Sequence, residues 1–290
     1  MPQAAMPVKA HELKIGKFLS VLRERTVVMG ILNRTPDSFS DGGMFTDDER
    51  AIRHAVRMAE EGADIIDVGG ESTRPGSEGV SPEEELKRTV PFIERLVREI
   101  DIPISIDTTK RIVAKEAIGA GASMVNDITG LKGDPGMAGT VAASGVLLSV
   151  MHIKGTPRDM QVDPVYDDLI SEIISGLRES VSIAAKSGVS GDRIIVDPGI
   201  GFGKTTGHNL RIISRLGEFK VLGKPILIGL SRKSFIGNLT GKDTGRRLIG
   251  TAASSALAIA NGANIIRAHD VKEAVDVRKV ADAIKRENNA

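Results

Sequence analysis

Short apolar runs alternate with longer amphipathic segments along most of the chain. Eight runs rich in Val, Ile and Met have the length and composition of strands buried on both faces, and they cover residues 27–32, 64–68, 104–106, 123–126, 146–151, 193–196, 226–230 and 264–267. Helical patterns follow these runs over residues 47–61, 82–99, 110–120, 136–144, 167–187, 209–216, 245–260 and 272–287. Regular alternation of strand and helix predicts a parallel sheet.

Several helical segments end in a glycine shortly before the next strand, as at Gly62, Gly121, Gly188 and Gly262. Glycine supplies the left-handed backbone conformation that closes a helix. Eight units of helix, glycine stop and strand within about 260 residues favour an α/β protein of the closed (β/α)8 TIM-barrel type, built as a single domain over residues 26–287. Periodicity alone does not exclude a doubly wound open sheet. Residues 1–25 are expected to lead into the barrel and cover its floor.

Composition narrows the classes of function. Lys and Arg number 39 against 38 Asp and Glu, and no basic stripe interleaved with aromatic residues is present, so no nucleic-acid partner is expected. The chain has no Cys, which excludes disulfides and thiolate metal sites and fits a reducing compartment. No apolar run reaches the roughly 18 residues that a membrane span requires. We expect a cytoplasmic protein that does not bind membranes.

Polar residues follow nearly every predicted strand, and a parallel barrel brings all these strand ends to one mouth. Asn33 opens the first loop, NRTPDSFSDGG, and its amide oxygen can bind a hard cation such as Mg²⁺, which needs few protein ligands. Turn chemistry explains part of the same loop, and the glycine pair at 42 and 43 suits a mobile lid. In the second loop, ESTRPG, Arg74 can bind an anion in bidentate fashion or remain solvated.

Asp107, Asn126 and Asp197 each follow an apolar run, so their side chains should face the mouth. A buried carboxylate needs hydrogen-bond donors, and a fused 2-amino-4-oxo pyrimidine supplies them through a ring N–H and an exocyclic amine, while an amide both donates and accepts. These residues therefore predict a site for a heterocycle of that kind. For Asp107 a second interpretation stays open, because the residue precedes a helical segment and could cap it.

The last strands carry cations. Lys233 follows the seventh strand, and Arg267 and His269 follow the eighth, the two positions where such barrels commonly hold phosphate. The stretch DPGIGFGK has neither the spacing of a nucleotide P-loop nor a dinucleotide fingerprint, but its Phe202 could stack on a planar substrate. A lone histidine beside a strand is more often a structural group, so His152 is left out of the catalytic set.

Taken in order, these loops resemble those of the dihydropteroate synthases, the pterin-binding enzymes of folate biosynthesis that sulfonamides inhibit. The shared motifs run through residues 26–284 as NxTPDSFSDGG, ESTRPG, IDTxK, ND, MHxxGTPxxMQ, DPGxGFGK, SRK and RxHDV. The resemblance implies a (β/α)8 barrel, usually homodimeric. It also implies a transferase that joins 4-aminobenzoate to (7,8-dihydropterin-6-yl)methyl diphosphate with Mg²⁺ and releases diphosphate.

The resemblance also assigns residues of this chain to subsites. The pterin pocket falls on Asp107, Asn126, Met151, Asp197, Phe202 and Lys233. The diphosphate falls on Asn33, Thr73, Arg267 and His269, with Asn33 as the metal ligand. The 4-aminobenzoate side falls on Phe39, Thr73, Arg74, Pro75 and Ser234. The catalytic set implied is Asp107, Lys233, Arg267 and His269, acting in a dissociative substitution at the pterin methylene.

Two positions depart from the family pattern: Arg34 stands where many members have Val, and Gly207 where an acidic residue is frequent. Arg34 lies in the first loop, so it leaves room for a diverged paralogue. Two alternatives therefore stay open. One is a non-catalytic pterin-binding paralogue with an incomplete second subsite. The other is a methyltetrahydrofolate-dependent methyltransferase, which also binds a pterin through Asp and Asn but has no use for the phosphate-binding cations.

Overall fold

The computed structural model describes residues 8–34, 44–72, 76–77, 79–156 and 158–287, with side chains from residue 12 in the first helix and from residue 48 in the second. In this part of the chain, eight strands form one parallel sheet in the order β6-β5-β4-β3-β2-β1-β8-β7. Their bounds are β1 Val27–Asn33, β2 Ile65–Gly69, β3 Ile104–Asp107, β4 Met124–Asp127, β5 Leu147–Met151, β6 Ile194–Asp197, β7 Leu227–Gly229 and β8 Ile265–Ala268.

A parallel bridge between Val196 and Ile226 joins the two edge strands, β6 and β7, so the sheet is a nearly closed barrel. The helices are α1 Val8–Glu24, α2 Met44–Glu60, α3 Pro82–Glu99, α4 Arg111–Gly119, α5 Met137–Ser144, α6 Leu169–Lys186, α7 Thr206–Ser214, α8 Ser234–Thr240, α9 Leu248–Ala260 and α10 Val271–Glu287. The predicted (β/α)8 TIM barrel is confirmed, and each predicted strand lies within about one residue of an observed one.

The glycine stops predicted before β2, β4, β6 and β8 are confirmed. Gly62, Gly121, Gly188 and Gly262 have φ angles of 100°, 113°, 95° and 114°. Side chains of L-residues rarely adopt this conformation, so each glycine turns the chain from the end of a helix into the next strand.

The helix predictions differ from the structure in several places. The predicted helices do not include α1 or α8. The helix predicted to begin at residue 209 begins at Thr206, because Thr205 and His208 form a reciprocal capping box. The helix predicted over 245–260 is wrong in its first turn: Thr244–Arg246 form a separate 3-10 turn. Arg247 ends that turn, since its guanidinium donates to the carbonyl groups of Lys242 and Arg232.

Helix α1 closes the amino-terminal end of the barrel. Its Ile15, Phe18 and Leu22 are buried in one apolar cluster with inward-facing residues of the strands. That cluster includes Val27, Met29, Ile65, Met124, Leu147, Ile195, Leu227 and Ile265. Because this end is filled with apolar side chains, the carboxyl ends of the strands form the mouth.

Within the described ranges, no helix has both the length and the apolar character that crossing a bilayer demands.

Candidate active site

The residues singled out from the sequence lie around the barrel mouth. Asn33, Asp107, Met151 and Asp197 are the last residues of β1, β3, β5 and β6. Asn126 and Arg267 lie one residue before the ends of β4 and β8, and Lys233 and His269 lie in the loops after β7 and β8. The strand register places Asn33 beside Gly69, Gly69 beside Asp107 and Asp107 beside Asn126. Three predicted ligand residues therefore share one level of the barrel.

A buried ion-pair network spans the mouth. The Nη2 group of Arg267 donates to Asp107 Oδ2 at 2.8 Å, and its Nε group donates to Asp67 Oδ2 at 2.6 Å. Asp67 lies inside β2 and is fully buried. The sequence reasoning missed Asp67, whose one signal is a carboxylate in the middle of an apolar run. Two of the five N–H donors of Arg267 are thus engaged by carboxylates.

Asn126 belongs to the same network, since its Nδ2 group donates to Asp67 Oδ2 at 3.2 Å. The remaining oxygens, Asn126 Oδ1 and Asp67 Oδ1, are buried and have no hydrogen-bond partner among the described residues. Buried acceptors without partners destabilise the free protein by roughly 1–3 kcal/mol each. A bound molecule with N–H donors would satisfy them.

Burial raises the pKa of Asp107 to about 7, because desolvation disfavours the carboxylate and Asp67 lies nearby; the Arg267 cation opposes this shift. The capping interpretation of Asp107 is wrong. The residue before α4 is Lys110, its amide donates to Thr108 Oγ1, and its own side chain caps nothing. The helix therefore makes no use of the Asp107 carboxylate, which faces the mouth instead.

Asp197 and Lys233 form the second charged group of the mouth. Asp197 Oδ1 accepts a 2.7 Å hydrogen bond from the Gly199 amide. Burial raises the pKa of Asp197 to about 6 against the opposing effect of that hydrogen bond and of Lys233. Burial also lowers the pKa of Lys233 to about 8, with Arg267 adding to the shift and Asp197 and Asp107 opposing it. The Lys233 cation thus interacts electrostatically with both carboxylates of the mouth.

Apolar surfaces complete this side of the mouth. The Nζ group of Lys233 lies 4.3 Å from the centroid of the Phe202 ring, a cation–π contact. Met151 is buried at the end of β5, next to the point where Gly199 approaches. A planar ring with hydrogen-bonding edges suits a site that combines apolar walls with carboxylate acceptors.

Comparison with known proteins identifies this arrangement. A family model described as pterin binding enzyme matches residues 29–269. A curated dihydropteroate synthase from Synechocystis is 49% identical over 94% of this chain and 95% of its own length. The chain belongs to the dihydropteroate synthase family of pterin-binding enzymes. The family resemblance stated from the sequence is thereby confirmed.

Solved structures of family members share the barrel. A Yersinia pestis dihydropteroate synthase in a sulfonamide drug complex superposes with a TM-score of 0.86 at 42% identity, covering 91% of this chain and 95% of that one. A Xanthomonas albilineans dihydropteroate synthase in complex with 7,8-dihydropteroate gives a TM-score of 0.81 at 42% identity, covering 90% and 94%.

Arg34, the first departure from the pattern of dihydropteroate synthases, is held against the outer helices. Its guanidinium pairs with Asp48 of α2 and lies 4.9 Å above the Phe92 ring of α3. The structure thus accounts for this cation without placing it among the mouth residues. At the second departure, Gly207 occupies the second position of α7, where the chain begins its helical turn.

Several residues of the predicted 4-aminobenzoate subsite, namely Phe39, Thr73, Arg74 and Pro75, lie outside the described residues. The base of the second loop is described. There, Lys110 Nζ donates to Glu71 at 2.5 Å and to the fully buried Glu85 at 2.6 Å. This network anchors the loop beside β3, and the sequence reasoning did not identify it. Ser234 is exposed as the first residue of α8.

The anion side of the mouth is built around β8. The backbone amide and Nδ1 of His269 both contact Ser231 Oγ, at 3.2 and 3.0 Å. Arg232 adopts a left-handed φ of 59° and pairs with Asp270. These contacts fix the loop after β7 to the loop after β8, so that Lys233 and His269 belong to one rigid rim.

Among the described residues, no group of three or more His, Asp or Glu side chains could hold a metal ion. The described residues therefore do not offer a Mg²⁺ site in which carboxylate and histidine side chains supply most of the ligands. Asn33 offers a hard amide oxygen at the mouth. A Cβ atom added at Gly69 would lie 3.5 Å from this Oδ1 atom. Mg²⁺ is usually bound by one or two protein groups together with waters and substrate phosphates, and this donor set fits that mode.

Proposed function

We propose that this chain is a dihydropteroate synthase, a transferase that condenses (7,8-dihydropterin-6-yl)methyl diphosphate with 4-aminobenzoate to give 7,8-dihydropteroate and diphosphate. One observation carries the proposal. A cluster of buried carboxylate and amide acceptors, two of which have no partner in the described part of the chain, lies at the same barrel mouth as the Lys233 cation in a chain that is 49% identical to a dihydropteroate synthase. Both substrates are small molecules, and 7,8-dihydropteroate is the ligand of the related Xanthomonas albilineans enzyme.

The pterin ring binds between the apolar walls formed by Met151 and Phe202. Its 2-amino group and ring N–H groups donate to Asp107, Asp197 and Asn126, since burial raises the pKa of both carboxylates and the Asn126 Oδ1 atom has no partner among the described residues. Lys233 donates to the ring carbonyl. Ligand binding thereby satisfies groups that are strained by burial in the free protein.

The chemical step is a dissociative substitution. The C–O bond between the pterin methylene and the diphosphate breaks, and its electron pair leaves with the diphosphate. Positive charge spreads from the methylene into the ring, where the Asp107 carboxylate stabilises it. Arg267 and His269 hold the departing anion at the rim.

The neutral amine of 4-aminobenzoate then forms the new C–N bond and loses one proton, which the released diphosphate can accept. A neutral aromatic amine is already nucleophilic, so no strong general base is required. We assign the 4-aminobenzoate side to Phe39, Thr73, Arg74, Pro75 and Ser234, with Thr73 also on the diphosphate. The support for these assignments is the match of this chain to the family motifs.

Bound Mg²⁺ would neutralise negative charge on the diphosphate, and Asn33 is the residue that would hold it. This assignment rests on the position of the Asn33 amide at the mouth, beside Asp107 across Gly69. The pterin itself needs no metal for the hydrogen bonds described above.

We further propose that the protein is a homodimer and that it acts in the cytoplasm. Large apolar side chains are exposed on the neighbouring helices α7, α8 and α9, including Leu239, Ile249 and Leu257 at 58%, 73% and 59% exposure. Exposed apolar side chains on helices that pack against one another suit contact with a second copy. The absence of Cys supports a reducing compartment.

A single incubation tests the activity. The purified chain is mixed with the dihydropterin diphosphate, labelled 4-aminobenzoate and Mg²⁺, and labelled dihydropteroate is separated by chromatography. We expect product that depends on all components. Pterin binding by calorimetry without product would instead support the non-catalytic paralogue. Methyl transfer from methyltetrahydrofolate would support the methyltransferase, which the identity of the relatives does not favour.

A further inference from the structure

Lys204 is the most deeply buried lysine or arginine among the described residues, and the proposed mechanism does not use it. It lies just after β6, is 2% exposed, and is among the largest side chains that are fully buried. All three donors of its ammonium group are engaged. The Nζ group contacts Phe202 O at 2.9 Å, His152 O at 3.2 Å and His152 Nδ1 at 3.2 Å.

These contacts join two loops that already touch through their backbones. A Cβ at Gly199 would lie 2.0 Å from His152 O, and one at Gly203 would lie 2.3 Å from Lys154 O. The glycines, with φ angles of 73° and 64°, let the loop after β6 approach the loop after β5 this closely. His152 N donates to Asp197 O at 2.9 Å, which continues the pairing at the strand end.

The same loop carries the apolar wall of the pterin site. Both backbone groups of Phe202 are held, since its amide donates to Gly199 O at 3.1 Å and its carbonyl accepts from Lys204. The ring of Phe202 in turn contacts the ammonium group of Lys233 at 4.3 Å. A substitution of Lys204 can therefore alter the proposed pterin pocket through Phe202, which contacts both Lys204 and Lys233.

His152 is suited to be the acceptor in this arrangement. Burial and the nearby Lys204 lower the pKa of His152 to about 3, so the ring is neutral and Nδ1 can accept. The ring also packs closely on α6, where a Cβ at Gly176 would lie 2.8 Å from His152 Cδ2. Packing against α6 thus holds the His152 ring in place, and the ring in turn holds the ammonium group of Lys204 through Nδ1.

We propose that Lys204 is a positioning residue of the pterin pocket: by bonding the carbonyl groups of Phe202 and His152, its ammonium group locks the loop after β6 onto the loop after β5 and holds the Phe202 ring in place beside Lys233. The inference rests on the proposed function for the identity of the ring that Phe202 contacts. It does not place Lys204 in contact with substrate.

The absence of Cys from the chain allows a matched chemical test. Lys204→Cys is alkylated in denaturant and refolded, either with 2-bromoethylamine, which rebuilds a lysine-like side chain ending in an ammonium group, or with 1-iodopropane, which rebuilds the same length ending in a methyl group. Lys186→Cys, at an exposed site at the end of α6, is treated identically as the control. The affinity for pterin-6-carboxylic acid is then measured by calorimetry.

We expect the aminoethylated protein to bind the pterin within about threefold of the wild type and the propylated protein to bind it at least about tenfold more weakly, because sub-ångström displacement of a packed wall has effects of that size. The affinities of both Lys186→Cys products should equal that of the wild type. Equal affinities of the two Lys204→Cys products, each shown to unfold cooperatively, would overturn the proposal.

A second variant covers the case in which the propylated protein does not refold. Lys204→Gln leaves a shorter side chain with one amide donor group for the carbonyl groups of Phe202 and His152, so we expect at least about threefold weaker pterin binding, and unchanged binding would overturn the proposal. Wild-type turnover is scored separately. Failure of the wild type to form dihydropteroate would contradict the proposed function, whereas the comparison among Lys204 products would still decide the role of the lysine.

Discussion

Asp107 and Arg267, 160 residues apart in sequence, are joined across the barrel mouth by a 2.8 Å hydrogen bond from Nη2 to Oδ2. The pair is buried and Asp67 lies on the other side of the guanidinium. Asp107 therefore has its charge compensated, and its carboxylate remains a strong acceptor in a low-dielectric site. The first prediction follows from this relationship.

Asp107→Asn should weaken pterin binding by about 10- to 100-fold, the range for losing hydrogen bonds to a charged group, and should abolish most turnover. The amide still offers Arg267 an oxygen, so the protein should remain folded, but it places an N–H₂ group against the N–H donors of the ring. Calorimetry with a free pterin measures the effect. Asp101→Asn, at an exposed turn before β3, is the control, and equal affinities of the two variants would remove the pocket assignment.

Asp67→Asn should lower kcat/KM by about tenfold or more, because Asp67 orients both Arg267 and Asn126 and misplacement of such groups has effects of this size. Ser105→Ala is a matched control: Ser105 lies beside Asp67 in the strand register, and its buried hydroxyl has no partner among the described residues. Steady-state kinetics on both variants provides the comparison. A wild-type kcat/KM in Asp67→Asn would show that the network is not needed for catalysis.

The pH dependence of kcat/KM should be bell-shaped. Burial raises the pKa of Asp107 to about 7 and that of Asp197 to about 6, so both are largely protonated in acid and become pterin acceptors as the pH rises. Burial lowers the pKa of Lys233 to about 8, so its cation is lost above that pH. Because kcat/KM reports on the free enzyme, we expect a maximum between pH 7 and 8.

Initial rates at low pterin diphosphate concentration, from pH 5.5 to 9.5, measure this profile. Lys233→Arg keeps a permanent cation, so whatever activity it retains should not decline above pH 8. A flat profile in the wild type, after correction for ionisation of the substrates, would contradict the assigned roles of all three groups.

Asn33→Ala should weaken the binding of diphosphate in the presence of Mg²⁺ more than it weakens the binding of free pterin, since the amide oxygen is the group that would hold the metal. Calorimetry with inorganic diphosphate, with and without Mg²⁺, separates the two effects. Asn33→Asp should retain Mg²⁺-dependent binding, because a carboxylate is also a hard ligand. Equal loss of pterin and diphosphate binding in Asn33→Ala would assign Asn33 to general packing of the mouth.

The sequence predicts the barrel well because its signals are local. Strand composition, glycine stops such as Gly121 and polar strand ends can each be recognised within about ten residues. Asn33, Asp107, Asn126 and Asp197 were found in this way, since each ends or nearly ends an apolar run.

The parts of the site that sequence reasoning missed depend on distant partners. Asp67 is buried because Arg267, 200 residues later, compensates its charge, and Lys204 is buried because the carbonyl of His152 faces it. An isolated charged residue in a sequence gives no sign of such a partner, and charged residues are usually exposed. Helix α1 is different: Ile15, Phe18 and Leu22 have helical spacing, so the pattern was present in the sequence.

Phe18→Ala should reduce the free energy of unfolding by about 3 kcal/mol, the usual effect of removing a buried aromatic side chain, because Phe18 is 3% exposed and packs into the closed end of the barrel. At a temperature where the variant is folded, kcat/KM should equal that of the wild type, since the mouth lies at the opposite end of the strands. Leu13→Ala, at a 60% exposed position on the same helix, should change stability by less than about 0.5 kcal/mol. Urea unfolding of the three proteins gives the first comparison, and kinetics gives the second. A loss of kcat/KM in folded Phe18→Ala would mean that the floor of the barrel controls the geometry of the mouth, and that the two ends are not energetically independent.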